Sequence, residues 1–171
     1  MEKGYIHVYT GNGKGKTTAA LGLSLRAICA DKKVYFGQFM KGMNYSELKA
    51  VEYLPNLTIN QFGNDKFIVG EASSEDKELA KAGLNQVETN LKSGDYDVVV
   101  LDELNIALYF KLFDLDEVIK VLEARDPKVE VIITGRNAPQ KLIDMADLVS
   151  EMKEIKHYYQ KGVQARKGIE S

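Results

Sequence analysis

The residues best equipped for chemistry form one run, Thr10-Gly11-Asn12-Gly13-Lys14-Gly15-Lys16-Thr17-Thr18. It follows the apolar stretch Tyr5-Ile6-His7-Val8-Tyr9 and precedes a segment of helical character. Glycines so spaced let successive backbone N–H groups converge on an anion, and a helix N-terminus adds the positive end of its dipole. In such a loop Lys16 reaches the outer phosphates of a nucleotide, and the Thr17 hydroxyl takes a ligand position on Mg²⁺. Gly11, Asn12, Gly13, Lys14, Gly15 and Thr18 complete the expected cradle. The common spacing G-x-x-x-x-G-K-[ST] puts glycine where this chain has Thr10, so the first turn should depart from the usual geometry.

A second group is the acidic pair ending Val98-Val99-Val100-Leu101-Asp102-Glu103. A carboxylate at the end of an apolar strand is the usual complement of a phosphate loop, because Mg²⁺ prefers hard oxygen ligands and needs only one or two from the protein. Asp102 and Glu103, with Thr17, are therefore the candidate metal ligands. Arg136, in Thr134-Gly135-Arg136-Asn137, sits at another strand end, where a guanidinium could hold a phosphate or carboxylate in bidentate fashion. A surface arginine in a loop is the plain alternative.

Other reactive side chains read as structural. Cys29 falls in the apolar series after the loop and reads as a buried small hydrophobe. His7 lies within the first strand and reads as a packed core residue, whereas His157 lies in a polar segment. There is no Ser/His/Asp set, no cysteine–histidine cluster, and no evident general base after the acidic pair. The phosphate loop and acidic pair by themselves also suit a P-loop ATPase or a small-molecule kinase.

The elements that must position these groups follow from patterning. Strands are expected at 5–9, 34–39, 57–62, 97–102 and 129–134, with a weaker edge strand over 148–155. Helices are expected at 17–30, near 46–53, and at 73–91, 115–124 and 138–145. Ser73-Ser74-Glu75-Asp76 supplies capping residues for the third of these. Such alternation argues for an α/β fold with a mainly parallel sheet flanked by helices. Right-handed crossovers put every strand's C-terminal end along one edge, so the phosphate loop, Asp102-Glu103 and Arg136 should meet there.

Composition narrows the class. With 171 residues the chain suits a single domain, 1–171, with a polar tail from about residue 156. A net charge of −2 gives no general pull toward nucleic acid or membranes. No apolar stretch approaches spanning length, and Met1-Glu2-Lys3-Gly4 enters a strand without a signal-peptide pattern, so a cytoplasmic protein is expected. One cysteine excludes an internal disulfide. The basic, aromatic tail, 154–170, reads as a solvated or substrate-contacting segment.

Taken in order, several motifs resemble the CobA type of ATP:cob(I)alamin (corrinoid) adenosyltransferase. They are Gly11-Asn12-Gly13-Lys14-Gly15-Lys16-Thr17-Thr18-Ala19-Ala20, then Arg26, then Gln38-Phe39-Met40-Lys41-Gly42, then Val100-Leu101-Asp102-Glu103-Leu104-Asn105. Further along stand Val131-Ile132-Ile133-Thr134-Gly135-Arg136, Ala146-Asp147-Leu148-Val149-Ser150-Glu151-Met152, Lys156-His157 and Gly162-Val163-Gln164-Ala165-Arg166-Lys167-Gly168-Ile169-Glu170. The resemblance implies a RecA-like P-loop fold, usually a homodimer, which moves the 5′-deoxyadenosyl group of ATP to reduced corrinoid and releases triphosphate. Co(I) would itself be the nucleophile, consistent with the missing general base. By this resemblance the 11–18 loop binds triphosphate, with Lys16 and Glu103 as the catalytic residues. Thr17 and Glu103 hold Mg²⁺ with support from Asp102. Asn12 and Arg26 lie near the nucleotide, and Arg136 and Lys156 at the ligand edge. Members of that family commonly carry aromatic residues after the third strand that lie over the corrinoid; here the stretch 61–69 departs from that pattern, with Phe62 and Phe67 its only aromatics, and the resemblance assigns no contact to the corrinoid face. An electron-donor flavoprotein is the implied transient partner.

Overall fold

The computed structural model describes residues 2–65, 68 and 70–170. Six strands form one sheet: β1 Ile6–Thr10, β2 Val34–Phe39, β3 Leu57–Phe62, β4 Val98–Asp102, β5 Glu130–Thr134 and β6 Leu148–Glu151. Their order is β3-β2-β4-β5-β1-β6, and every neighbouring pair is parallel. Among the described residues there are five α-helices: α1 Lys16–Ile28, α2 Ser74–Ser93, α3 Leu104–Tyr109, α4 Leu115–Glu123 and α5 Gln140–Met145. This is the expected RecA-like α/β arrangement, with β5 between the phosphate-loop strand and the acidic strand.

The unbroken apolar runs are explained by cover on both faces. In β4, Val98 and Val100 pack with Phe36, Ile132 and the α1 residue Ala20. Val99 and Leu101 point the other way, among Tyr35, Val131, Ile133 and the α2 residues Leu84, Val87 and Leu91. The period of two thus serves two cores at once. Capping boxes open both longer helices of the second layer, Ser73 with Asp76 in α2 and Asp114 with Glu117 in α4.

Differences from the sequence expectations have local causes. The segment near 46–53 forms a 3-10 turn, Ser46–Glu52, none of whose residues is buried, so little packing favours a full α-helix. The edge strand is only Leu148–Glu151, exposed throughout. Helix α3 was not anticipated, since six residues are too few to show a period. Cys29 is exposed, not buried: it lies four residues beyond Leu25, itself 49% exposed, on the outward stripe of α1. His7 is not an apolar core residue either. Its Nε2 lies 2.6 Å from Glu130 Oε1 and its Nδ1 3.3 Å from the Tyr9 hydroxyl, tying β1 to β5. The tail folds back on the phosphate loop through a second 3-10 turn, Tyr158–Lys161. Among the described residues no helix is long and apolar enough to cross a membrane.

Candidate active site

Strands β1, β2, β4 and β5 end side by side, and the polar residues at those ends surround one cleft of about 700 Å³. Its floor begins with the phosphate loop. Gly15 caps α1 at φ 117°, a left-handed conformation that costs glycine no steric penalty. Gly13 is required for a different reason. Its N–H donates to Met152 O at 2.7 Å, and a Cβ there would lie 2.7 Å from the same carbonyl. At the unusual first position, the Thr10 hydroxyl accepts the Ala138 N–H at 3.3 Å, so this side chain joins the loop to the segment after β5. Lys16, 7% exposed, donates to Gly13 O at 2.7 Å. Burial pushes its ammonium below the usual range and Arg136 adds to that, against the attraction of Glu103 and Asp102.

Asp102 is the hub beneath the loop. It is fully buried and accepts four hydrogen bonds. Oδ1 takes Thr17 Oγ1 at 2.8 Å and Thr134 Oγ1 at 2.7 Å. Oδ2 takes Lys41 Nζ at 2.8 Å and Gln38 Nε2 at 3.3 Å. Thr134 in turn accepts the Glu103 N–H at 2.9 Å, so β5 fixes where the neighbouring acid begins. Glu103 has φ 59°, a left-handed conformation uncommon for a residue with a side chain and a form of strain found at functional sites. It turns out of the strand and lines the cleft. Burial first, then the Asp102 charge, raises its carboxyl above the ordinary range, while Lys41, Lys16 and Arg136 oppose that rise.

Of the residues singled out in the sequence, Asn12, Gly13, Lys14, Gly15, Lys16, Thr17, Thr18, Glu103 and Arg136 line the cleft, with His157. Gly11 lies just behind the loop, where a Cβ would press on Met152 O at 2.4 Å. Arg26 does not join them: it is in the last turn of α1, exposed to solvent. Lys156 is exposed and outside the cleft lining. Phe62 packs inward on Phe39, ring centroids 5.5 Å apart, and Phe67 lies outside the described residues.

Known proteins can now be set beside this geometry. The family described as ATP:corrinoid adenosyltransferase BtuR/CobO/CobP matches residues 2–171. This chain belongs to that family. Corrinoid adenosyltransferases of Escherichia coli K12 and Salmonella typhimurium are 35% and 37% identical over 99% of the chain, which spans 86% of each. An uncharacterized Nostoc protein is 41% identical over 90% of the chain, which spans only 45% of that relative. The family resemblance read from the ordered motifs is therefore borne out.

Two further walls complete this adenosyltransferase-family cleft: the first carried no assigned role in the sequence, and the second lies in the tail expected to be solvated or to contact substrate. One is Lys41, Tyr45, Ser46 and Glu47, after β2; the other is His157 with Gly168, Ile169 and Glu170 from the tail. The rule that ligands gather at the carboxyl edge of a parallel sheet flags Gln38 and Lys41, because they end β2 as Asp102 ends β4. The tail's composition marked it as a candidate contact segment but not where it docks: Lys14 Nζ donates to Ile169 O at 2.9 Å across 155 positions of chain.

Proposed function

We propose that this chain transfers the 5′-deoxyadenosyl group of ATP to the Co(I) centre of a corrinoid and releases triphosphate. The observation that carries the reading is the family match along residues 2–171, on a chain whose cleft joins a phosphate loop to an acidic strand end. In the reaction the Co(I) electron pair attacks C5′ of ATP. The C5′–O bond breaks, and its electron pair leaves with the triphosphate. No proton need be removed, so the protein supplies positioning and charge.

In this reading the 11–18 loop and Lys16 hold the triphosphate, and Arg136 reaches its open side. Hard oxygens at Thr17, Glu103 and Asp102 suit Mg²⁺. Mg²⁺, when bound there, neutralises charge on the leaving chain. Asp102 orients the Thr17 hydroxyl at 2.8 Å. The same reading includes a cytoplasmic homodimer and a flavoprotein that reduces the corrinoid.

The test is anaerobic incubation with ATP, Mg²⁺ and chemically reduced cobalamin. Loss of the Co(I) band with one triphosphate per light-sensitive product is expected. Steady ADP and orthophosphate with an unchanged cobalt spectrum would instead make the protein an ATPase or kinase.

A further inference from the structure

Among the described residues lining the cleft, Lys41 is the cation attached directly to the buried carboxylate. Its Nζ lies 2.8 Å from Asp102 Oδ2 and 3.6 Å from Glu47 Oε1, and 5.1 Å from the centre of the Tyr45 ring. Gln38 reinforces this arrangement, since its Nε2 reaches both Glu47 Oε1 at 3.1 Å and Asp102 Oδ2 at 3.3 Å. Gln61 then fixes Gln38 by donating to its Oε1 at 3.1 Å. Three carboxylates, Asp102, Glu103 and Glu47, thus face one ammonium whose side chain is 14% exposed.

We propose that Lys41 is the internal counter-ion of the Asp102–Glu103 edge, a positioning residue that steadies these carboxylates and competes with the divalent cation that binds beside them. The inference rests on the proposed cation site, although it makes no use of adenosyl transfer. An ammonium in contact with one carboxylate lowers the negative potential at its neighbour, and so weakens the hold on any second cation. The same contact fixes the start of the 41–47 wall, because Met40 at φ 60° turns the chain from β2 directly into Lys41.

These two effects have opposite consequences, which separates counter-ion from mere support. Without the ammonium a cation should bind more tightly, while turnover should fall as the wall loosens. A simple packing defect would lower both.

The probe is Mn²⁺ alone, titrated against the full chain and followed by its electron paramagnetic resonance. Lys41→Met is expected to bind Mn²⁺ roughly tenfold more tightly than the parent, from the loss of one nearby positive charge. Lys41→Arg should restore parental affinity. Glu47→Gln, which removes a negative charge beside Lys41 and keeps an acceptor for Gln38, should bind more weakly. This second variant carries the test if Lys41→Met does not fold. Equal or weaker binding by Lys41→Met, or equal or tighter binding by Glu47→Gln, overturns the proposal, as does no measurable binding by any of these proteins. A parent that shows these Mn²⁺ shifts and yet transfers no adenosyl group would instead overturn only the proposed function.

Discussion

Asp102, fully buried at the floor of the cleft, accepts four hydrogen bonds, whereas the tail wall is held by the exposed cations Lys14 and Arg166 on a partly buried Glu170. On that wall Arg166 pairs with Glu170 at 3.1 Å with its side chain 53% exposed, and Lys14 approaches Glu170 at 3.9 Å with 40% exposed. Tyr158 donates its hydroxyl to Glu170, and the Arg166 guanidinium lies 5.1 Å from the Tyr158 ring centre. Buried charge that loses a partner is costly, while exposed pairs contribute little and are screened by salt. The difference teaches where this protein is fixed and where it can adjust. The floor is rigid because any rearrangement strands a buried charge. The wall can open at small cost.

Removing charge from the floor should have the largest effect. Asp102→Asn leaves Lys41 without its nearest partner. It is expected to lower stability by about 3 kcal/mol in urea unfolding and to reduce adenosyl transfer on the order of 100-fold or more. A variant of unchanged stability would erase the contrast between floor and wall. Lys16→Ala sharpens it by separating fold from chemistry: transfer should again fall roughly 100-fold, while the unfolding free energy changes by no more than about 1 kcal/mol.

Gly13→Ala probes the seam between the two regions. The new methyl meets Met152 O at 2.7 Å and Lys153 C at 2.8 Å, both backbone atoms. A loss of about 2 kcal/mol is expected, together with faster amide exchange beyond residue 152. Protection there equal to the parent's would mean that the loop does not hold the tail.

The wall itself should give the smallest responses. Arg166→Ala should leave the urea unfolding curve close to the parent's and raise KM for ATP severalfold, by an amount that shrinks in high salt. Acid gives the same contact a second readout. Hydrogen bonds from Arg166 and Tyr158 hold the Glu170 carboxyl down from 4.5 to about 2. Because the folded value is the lower, this stabilisation is present above pH 4.5 and is lost as pH falls toward 2. Exchange in the tail, corrected for its intrinsic pH dependence, should therefore rise over that window in the parent and not in Glu170→Gln.

How much of this was legible in the sequence follows the same division. The phosphate loop and the Asp102–Glu103 strand end are contiguous runs whose spacing is their chemistry, so they could be read without a fold. The parallel sheet followed from apolar runs such as 98–101, which fit a strand covered on both faces, and from their alternation with helical patterns. Lys41 and Thr134 join Asp102 only through the pairing of β2 and β5 with β4, which no local pattern encodes. The tail's return to Lys14 is more remote still. Cys29 and His7 were misread because strand and helix periodicity give a face, not what lies against it. Cys29 faces solvent, and His7 meets Glu130.

The proposed chemistry is tested most directly by following one atom. ATP labelled with carbon-13 at C5′ would be mixed anaerobically with Mg²⁺, reduced cobalamin and the protein, and the product examined by carbon NMR. The account expects the labelled carbon bonded to cobalt, with unlabelled triphosphate released in equal amount. Label that remains in ADP or AMP, with cobalt unalkylated, would contradict it.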